Sequence, residues 1–237
     1  MLQDDVTFNI SSFLEDYRSN YVNEIKDTYG DNISFSFTIN EENVAIAYMP
    51  IPIPLSDIEV TAQFSYNWKS VLEDTKEHKA HLIVSIMQGS QNKINRFKIF
   101  TQILCSLLRT TNSIGVYKGL QSLLIQKEDY LLQSELIKYE YLPLDLWIYI
   151  GLRGIDKGNY GYTYGLKEFD KSEMEVLNSS RSVQEIRDFL FNTAQYVLKN
   201  DVTFKEGETV GISEEEKIGV KFSKGEFVEG ETFKFAF

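Results

Sequence analysis

EHKAHLIVSIM, Glu77–Met87, turns from charge to an unbroken apolar run at His81. The run HLIVSIM lacks the spacing of a helix face and is rich in β-branched side chains, so it reads as a strand. Because no polar residue alternates through most of it, the pattern predicts a central strand covered on both faces, with Val84 and Ile86 in the core. A polar turn, QGSQN, follows. Lys93–Arg109 then places Ile94, Phe97, Phe100, Ile103, Leu104, Leu107 and Leu108 on one helical face. SIGVYKG, Ser113–Gly119, is the next strand. This strand–helix–strand order sets the fold class as α+β.

Upstream, Ser12-Phe13-Leu14-Glu15 has the form of a capping box, and Phe13, Tyr17, Tyr21 and Ile25 recur every four residues behind it. ISFSFTI and VAIAYM, split by Asn40-Glu41-Glu42-Asn43, read as a hairpin. In MPIPIPLSD, Pro50, Pro52 and Pro54 remove the N–H groups along one edge of an extended chain. The segment is a rigid exit from the sheet, or else a docking edge or pocket wall. Phe64–Lys79, with Trp68, Val71 and Leu72, suggests a helix, and a further one spans Lys127–Tyr139.

After Leu142-Pro143-Leu144, the pattern repeats. DLWIYIGLRG and NYGYTYGL form a hairpin, EMEVLN is a third strand, and Ser182-Val183-Gln184-Glu185 is a second capping box. Its helix carries Val183, Ile186, Leu190, Ala194 and Val197 on one stripe, and ETVGIS, IGVKFS and TFKFAF complete a β-rich tail. The expected architecture is two strand–helix–strand halves, 1–142 and 143–237, mostly antiparallel, with helices packed on the sheet. No Gly/Ser-rich linker separates them, so they are expected to behave as one packed unit.

The net charge of -11, from 35 acidic and 24 basic residues, disfavours nucleic acid and anionic lipid and suits a basic partner. The opening MLQDDVTFNISSF has no basic-then-apolar signal pattern, and no run reaches the length of a membrane helix. A cytoplasmic protein is expected. The single cysteine, Cys105, falls in ILCSLL and reads as a small buried hydrophobe.

Few residues suggest chemistry. His78 and His81 would share a face on a helix but diverge on a strand, and no CxxC or HExxH completes a metal set. No metal or cofactor is therefore expected, and His81 reads as a hydrogen-bonded anchor at a strand start. SEEEK places Glu214, Glu215 and Glu216 in a turn, as a solvated loop or an acidic docking site. Tyr160, Tyr162 and Tyr164 alternate with Gly161 and Thr163, giving either cross-strand packing or an exposed aromatic ribbon. No nucleophile elbow, Cys–His pair or phosphate loop is present in the sequence.

GLKEF, MEVLNSSRS, EIRDFLFNTAQYVL and EGETVGISEEEKIGVKFSKG together resemble the bacterial domain-of-unknown-function 4261 family, most strongly from about Tyr160 onward. AYMPIPIP, HKAHLIVSIM and SIGVYKG are similar to longer members. The resemblance supports the strand–helix–strand order and implies no activity. Two functions follow as expectations: a non-enzymatic adaptor or immunity-type protein that holds a basic partner through Glu214–Glu216 or the tyrosine face, and a small hydrolase or ligand-binding enzyme with His81 in a pocket between the halves.

Overall fold

The computed structural model describes residues 8–155, 158–211 and 216–237. It divides into two compact units, Met1–Glu140 and Tyr141–Phe237.

In the first unit, α1 (Ile10–Asn20) starts two residues ahead of the expected cap: Asn9, not Ser12, caps it by accepting the Ser12 N–H at 2.9 Å. The helix also ends earlier than its four-residue repeat implies. Tyr21 is extended, and Ile25 opens a strand, β1 (Ile25–Gly30), because the polar Asn23-Glu24 pair breaks the apolar face. Strands β2 (Ser34–Ile39) and β3 (Glu42–Met49) form the expected hairpin around a tighter turn, with Asn40 at φ +52°. Asn tolerates that left-handed conformation better than other side-chain-bearing residues. Phe35, Phe37, Ile39, Val44 and Ile46 are buried on one sheet face. Phe13 of α1 packs there, its ring 5.6 Å from that of Phe37 and 6.5 Å from that of Phe35.

The run that opened the sequence forms β4 (His81–Gln88), but at the border of a four-stranded antiparallel sheet ordered β1-β2-β3-β4. The central placement is therefore corrected. Val84 and Ile86 are half-buried rather than core, and Ile83 and Met87 are 47% and 67% exposed. The next strand in sequence, β5 (Gly115–Lys118), pairs with β6 (Leu123–Gln126), which the sequence reading missed. Between β4 and β5 runs α4 (Lys93–Thr110), capped by Asn92, with Ile99, Ile103, Leu104, Leu107 and Leu108 buried. The helix expected over Phe64–Lys79 is replaced by α2 (Leu55–Ala62) and α3 (Val71–Thr75). The turns between them let Trp68 and Val71 bury against Ile58 and Leu124. A further helix, α5 (Lys127–Ser134), continues as a 3₁₀ turn to Tyr139.

The second unit begins with one turn, α6 (Leu144–Trp147), where a strand start was expected. Its sheet contains β7 (Tyr149–Ile155), β8 (Gly158–Tyr164), β9 (Met174–Ser179), β10 (Thr209–Gly211), β11 (Lys217–Lys224) and β12 (Glu231–Phe235). The order is β10-β11-β12-β9-β8-β7, antiparallel except for β12–β9. The long helix α7 (Val183–Lys199) carries the complete Ser182–Glu185 capping box. Mixed helices and mostly antiparallel sheets make the α+β class plain.

α7 lies directly on Gly161. A Cβ there would stand 2.4 Å from Ile186 Cγ2 and 2.9 Å from Leu190 Cδ1. Gly161→Val should therefore lift the helix and lower stability by about 1–3 kcal/mol. Urea unfolding checks this, and an unchanged midpoint would show that α7 has room to shift.

Candidate functional site

Of the expected tail sites, Glu216, Tyr160 and Tyr162 are tied into the fold. Glu214 and Glu215 lie outside the described residues. Glu216 pairs with Arg181 at 2.5 Å, Glu208 accepts the Lys205 N–H at 2.8 Å, and Glu206 accepts that of Phe222. The tyrosine ribbon is partly covered. Tyr160 donates its hydroxyl to Asn178, and Phe227 stacks on Tyr162 with centroids 5.2 Å apart and meets Tyr160 edge-on at 5.7 Å. Tyr162 also lies over Gly151, and burial raises its pKa. Tyr164 is exposed. Cys105 is buried, and burial pushes its thiol pKa up.

The histidines serve the proline segment. β3 leaves the sheet after Met49, which pairs with His81. The chain then has few groups for a ladder, because every second N–H is lost to proline. Both imidazoles substitute for a strand partner. His81 Nδ1 lies 2.8 Å from the Ile51 carbonyl, and His78 Nε2 accepts the Ile53 N–H at 2.8 Å. The other His78 nitrogen, Nδ1, is 2.5 Å from the Thr75 carbonyl and donates to it, which assigns the neutral Nδ1–H tautomer. The rings do not diverge as a shared strand would require, because His78 precedes β4. Among the described residues, no group of three or more His, Cys, Asp or Glu side chains could hold a metal ion.

This arrangement has a pH consequence. Burial, the main cause, lowers the His78 pKa, so the unfolded ring, near its ordinary value of about 6.5, takes up a proton that the folded ring resists. The stabilisation is thus present above that ordinary value and lost as pH falls through the depressed folded one. A proton on Nε2 also removes the acceptor for Ile53. The Ile53 amide should be protected from exchange at neutral pH and lose protection, relative to its intrinsic rate, on acidification. Protection that is equal in His78→Phe would show that the ring is not its partner.

Beside this anchor a cavity of ≈390 Å³ opens wholly within the first unit. Ile53, Pro54 and Asp57 close one end, so the proline segment is a pocket wall as well as an exit. One side is His81 and Leu82–Val84 of β4, and the other is β5. Phe100, Leu104, Leu107 and Leu108 of α4 supply the apolar floor. No residue of β3 or β6 lines it, so it lies on the sides of β4 and β5 turned away from their ladder partners. His81 is the one expected site residue that belongs to it. Asp57, Tyr117 and Lys118 were not singled out from sequence, and nothing in their spacing marks them. A wider hollow of ≈1050 Å³ beside α7 is lined by Gly211 and Glu216 among others, and its Arg181 is engaged by Glu216 and Glu185.

With this geometry in place, comparison with known proteins adds one result, for the tail. Residues 162–236 match the model of a Domain of unknown function (DUF4261). The resemblance read from GLKEF and GETVGISEEEKI is thus confirmed for β8 to β12, and the DUF4261 match covers none of the upstream segments AYMPIPIP, HKAHLIVSIM and SIGVYKG. No curated protein and no solved structure matches the chain. The DUF4261 region contains α7 and most of the second sheet, whereas the cavity beside β4 lies outside it. Among the described residues, no helix is long and apolar enough to cross a membrane.

Proposed function

We propose that this protein is a non-enzymatic adaptor that holds another protein, and that the cavity along β4 is where it does so. One observation carries the reading: the apolar cavity opens beside an edge strand that itself holds no charged residue or proline. Sheet edges are ordinarily protected by charge, proline or bulges. The opposite edge, β1, follows that rule, with Lys26, Asp27 and a register shift between Lys26 and Tyr29. β4, HLIVSIMQ, contains neither Lys, Arg, Asp nor Glu.

The partner is expected to be basic, because a chain of net charge -11 attracts such a protein at long range. The run Glu214–Glu216 then acts by steering. Changing all three to Gln should slow association at low salt while leaving folding nearly unchanged, and the difference should shrink as salt rises. An equal association rate at low salt removes the run from the reading.

The test of the site is Ile83→Lys. Ile83 is 47% exposed, so a lysine there is tolerated by the fold while placing a charge on the edge. Affinity capture with wild type and variant in parallel should yield a protein that the variant fails to retain. A partner retained equally by both moves binding away from β4. A second reading, a small-molecule pocket, is favoured by His81 and Asp57 both lining the cavity, whose volume falls within the range of ligand sites. It predicts thermal stabilisation by compounds of low molecular weight that survives Ile83→Lys.

A further inference from the structure

We infer that the cavity takes an extended segment of the partner as an added β-strand, paired to the backbone of Leu82 and Val84. This rests on the binding reading above and specifies its chemistry.

The argument starts from ladder parity. The Tyr48 N–H donates to the Ile33 carbonyl at 2.8 Å, toward β2. Within one strand, successive residues turn their N–H and C=O to opposite sides. Tyr48 and Ile46 therefore face β2, and Ala47 and Ala45 face β4, where they oppose Ile83 and Ser85. The tight hairpin agrees, since Ile39 and Glu42 close it as a facing pair. Leu82 and Val84, opposite Tyr48 and Ile46, consequently aim their N–H and C=O groups away from β3. Among the described residues, no strand pairs with that side of β4; only Ala80, just ahead of it, sits in an isolated β-bridge, as does Ser113.

Leu82 and Val84 both line the cavity whose floor is the apolar face of α4. A site with backbone donors and acceptors along one wall and aliphatic side chains below suits an extended chain better than a helix, which satisfies its own backbone. Strand addition draws affinity from the main chain and specificity from alternate side chains. The side chains directed to the floor must be apolar, because Phe100, Leu104, Leu107 and Leu108 offer them no polar partner. Residues flanking the inserted strand are expected to be basic, by complement to the acidic chain.

The probe is a fluorescent peptide of alternating valine and threonine with lysines at both ends, read by polarisation. A second peptide is N-methylated on alternate amides, so that it keeps its side chains but cannot pair on that edge. The protein variant is Val84→Pro, which removes an N–H that β3 does not use. Wild type should bind the unmodified peptide. N-methylation and Val84→Pro should each weaken it about tenfold or more, equivalent to roughly 1.4 kcal/mol. The methylated peptide tests pairing even where the proline variant misfolds. Equal affinity for the two peptides, or no binding of the unmodified one, overturns strand addition. The adaptor reading stands or falls separately on the Ile83→Lys capture. A concentration-dependent dimer of wild type that Val84→Pro dissociates also overturns the inference, because a second copy would then occupy the edge.

Discussion

Phe13→Ala should destabilise the first unit by about 3–5 kcal/mol, the range for emptying a large aromatic from a closed core. Phe13 is fully buried, and its ring neighbours those of Phe8 at 5.9 Å, Phe37 at 5.6 Å, Tyr17 at 6.1 Å and Phe35 at 6.5 Å. It is the side chain through which α1 grips β2, so alanine removes its apolar area and also leaves a cavity that four rings cannot readily close. The effect should extend to the proposed site, because the β2–β3 register determines which groups of β4 face outward. Phe13→Leu, which keeps most of the volume, should cost about 1–1.5 kcal/mol. Urea unfolding of both variants checks the pair. If Phe13→Ala loses no more than Phe13→Leu, the aromatic cluster is not what fixes the helix on the sheet.

The local elements were readable where one residue type performs one task. The second capping box was legible because Ser182 and Glu185 satisfy each other's backbone groups within four residues. The β2–β3 hairpin was legible because Phe35, Phe37 and Ile39 alternate on one face. Other elements were hidden by coincidence. Ile25 continues the spacing of Phe13, Tyr17 and Tyr21, yet belongs to β1. α2 is hidden in the sequence because Pro54 reads as part of an exit, docking edge or pocket wall, whereas it occupies the N-cap position of this helix without a side-chain cap bond.

The position of β4 was hidden for a different reason. An apolar run is the same in sequence at a sheet centre and at a sheet border beside an apolar cavity. Which one holds depends on whether β5 pairs with it or with β6, a choice made by residues more than thirty positions away. The candidate site shares this limit. His81 could be singled out as an anchor, but the cavity gathers Ile53, Asp57, Leu104 and Val116 from separate elements. No local pattern joins them.

Glu175→Ala should remove a comparable share of the second unit's stability, about 3–5 kcal/mol, as expected when one partner of a buried pair is deleted. Glu175 is fully buried on β9. Its carboxylate accepts the N–H of Glu226 at 3.0 Å and of Phe227 at 2.8 Å, and the hydroxyl of Thr232 at 3.0 Å, while Lys234 Nζ lies 3.7 Å away. Alanine leaves two backbone donors without their acceptor and takes the carboxylate from a lysine, 14% exposed, that still donates to Ser223 Oγ and the Lys224 carbonyl. It also frees the turn that holds Phe227 over Tyr160 and Tyr162, so the aromatic face should open as stability falls. Glu175→Gln keeps one acceptor oxygen but turns an amide toward the donors, and should lose about 1–3 kcal/mol. Thermal unfolding gives the magnitudes, and amide exchange at Glu226 and Phe227 locates them. Faster exchange there with little change in global stability would mean that Glu175 holds only the turn. No change in either would leave the stacking of Phe227 on Tyr162 as the force that closes this face. The ranking of the two effects follows from chemistry: a lost ring contact of 5.2 Å is worth about 0.5–1.5 kcal/mol beyond area, less than two stranded donors beside a half-neutralised lysine.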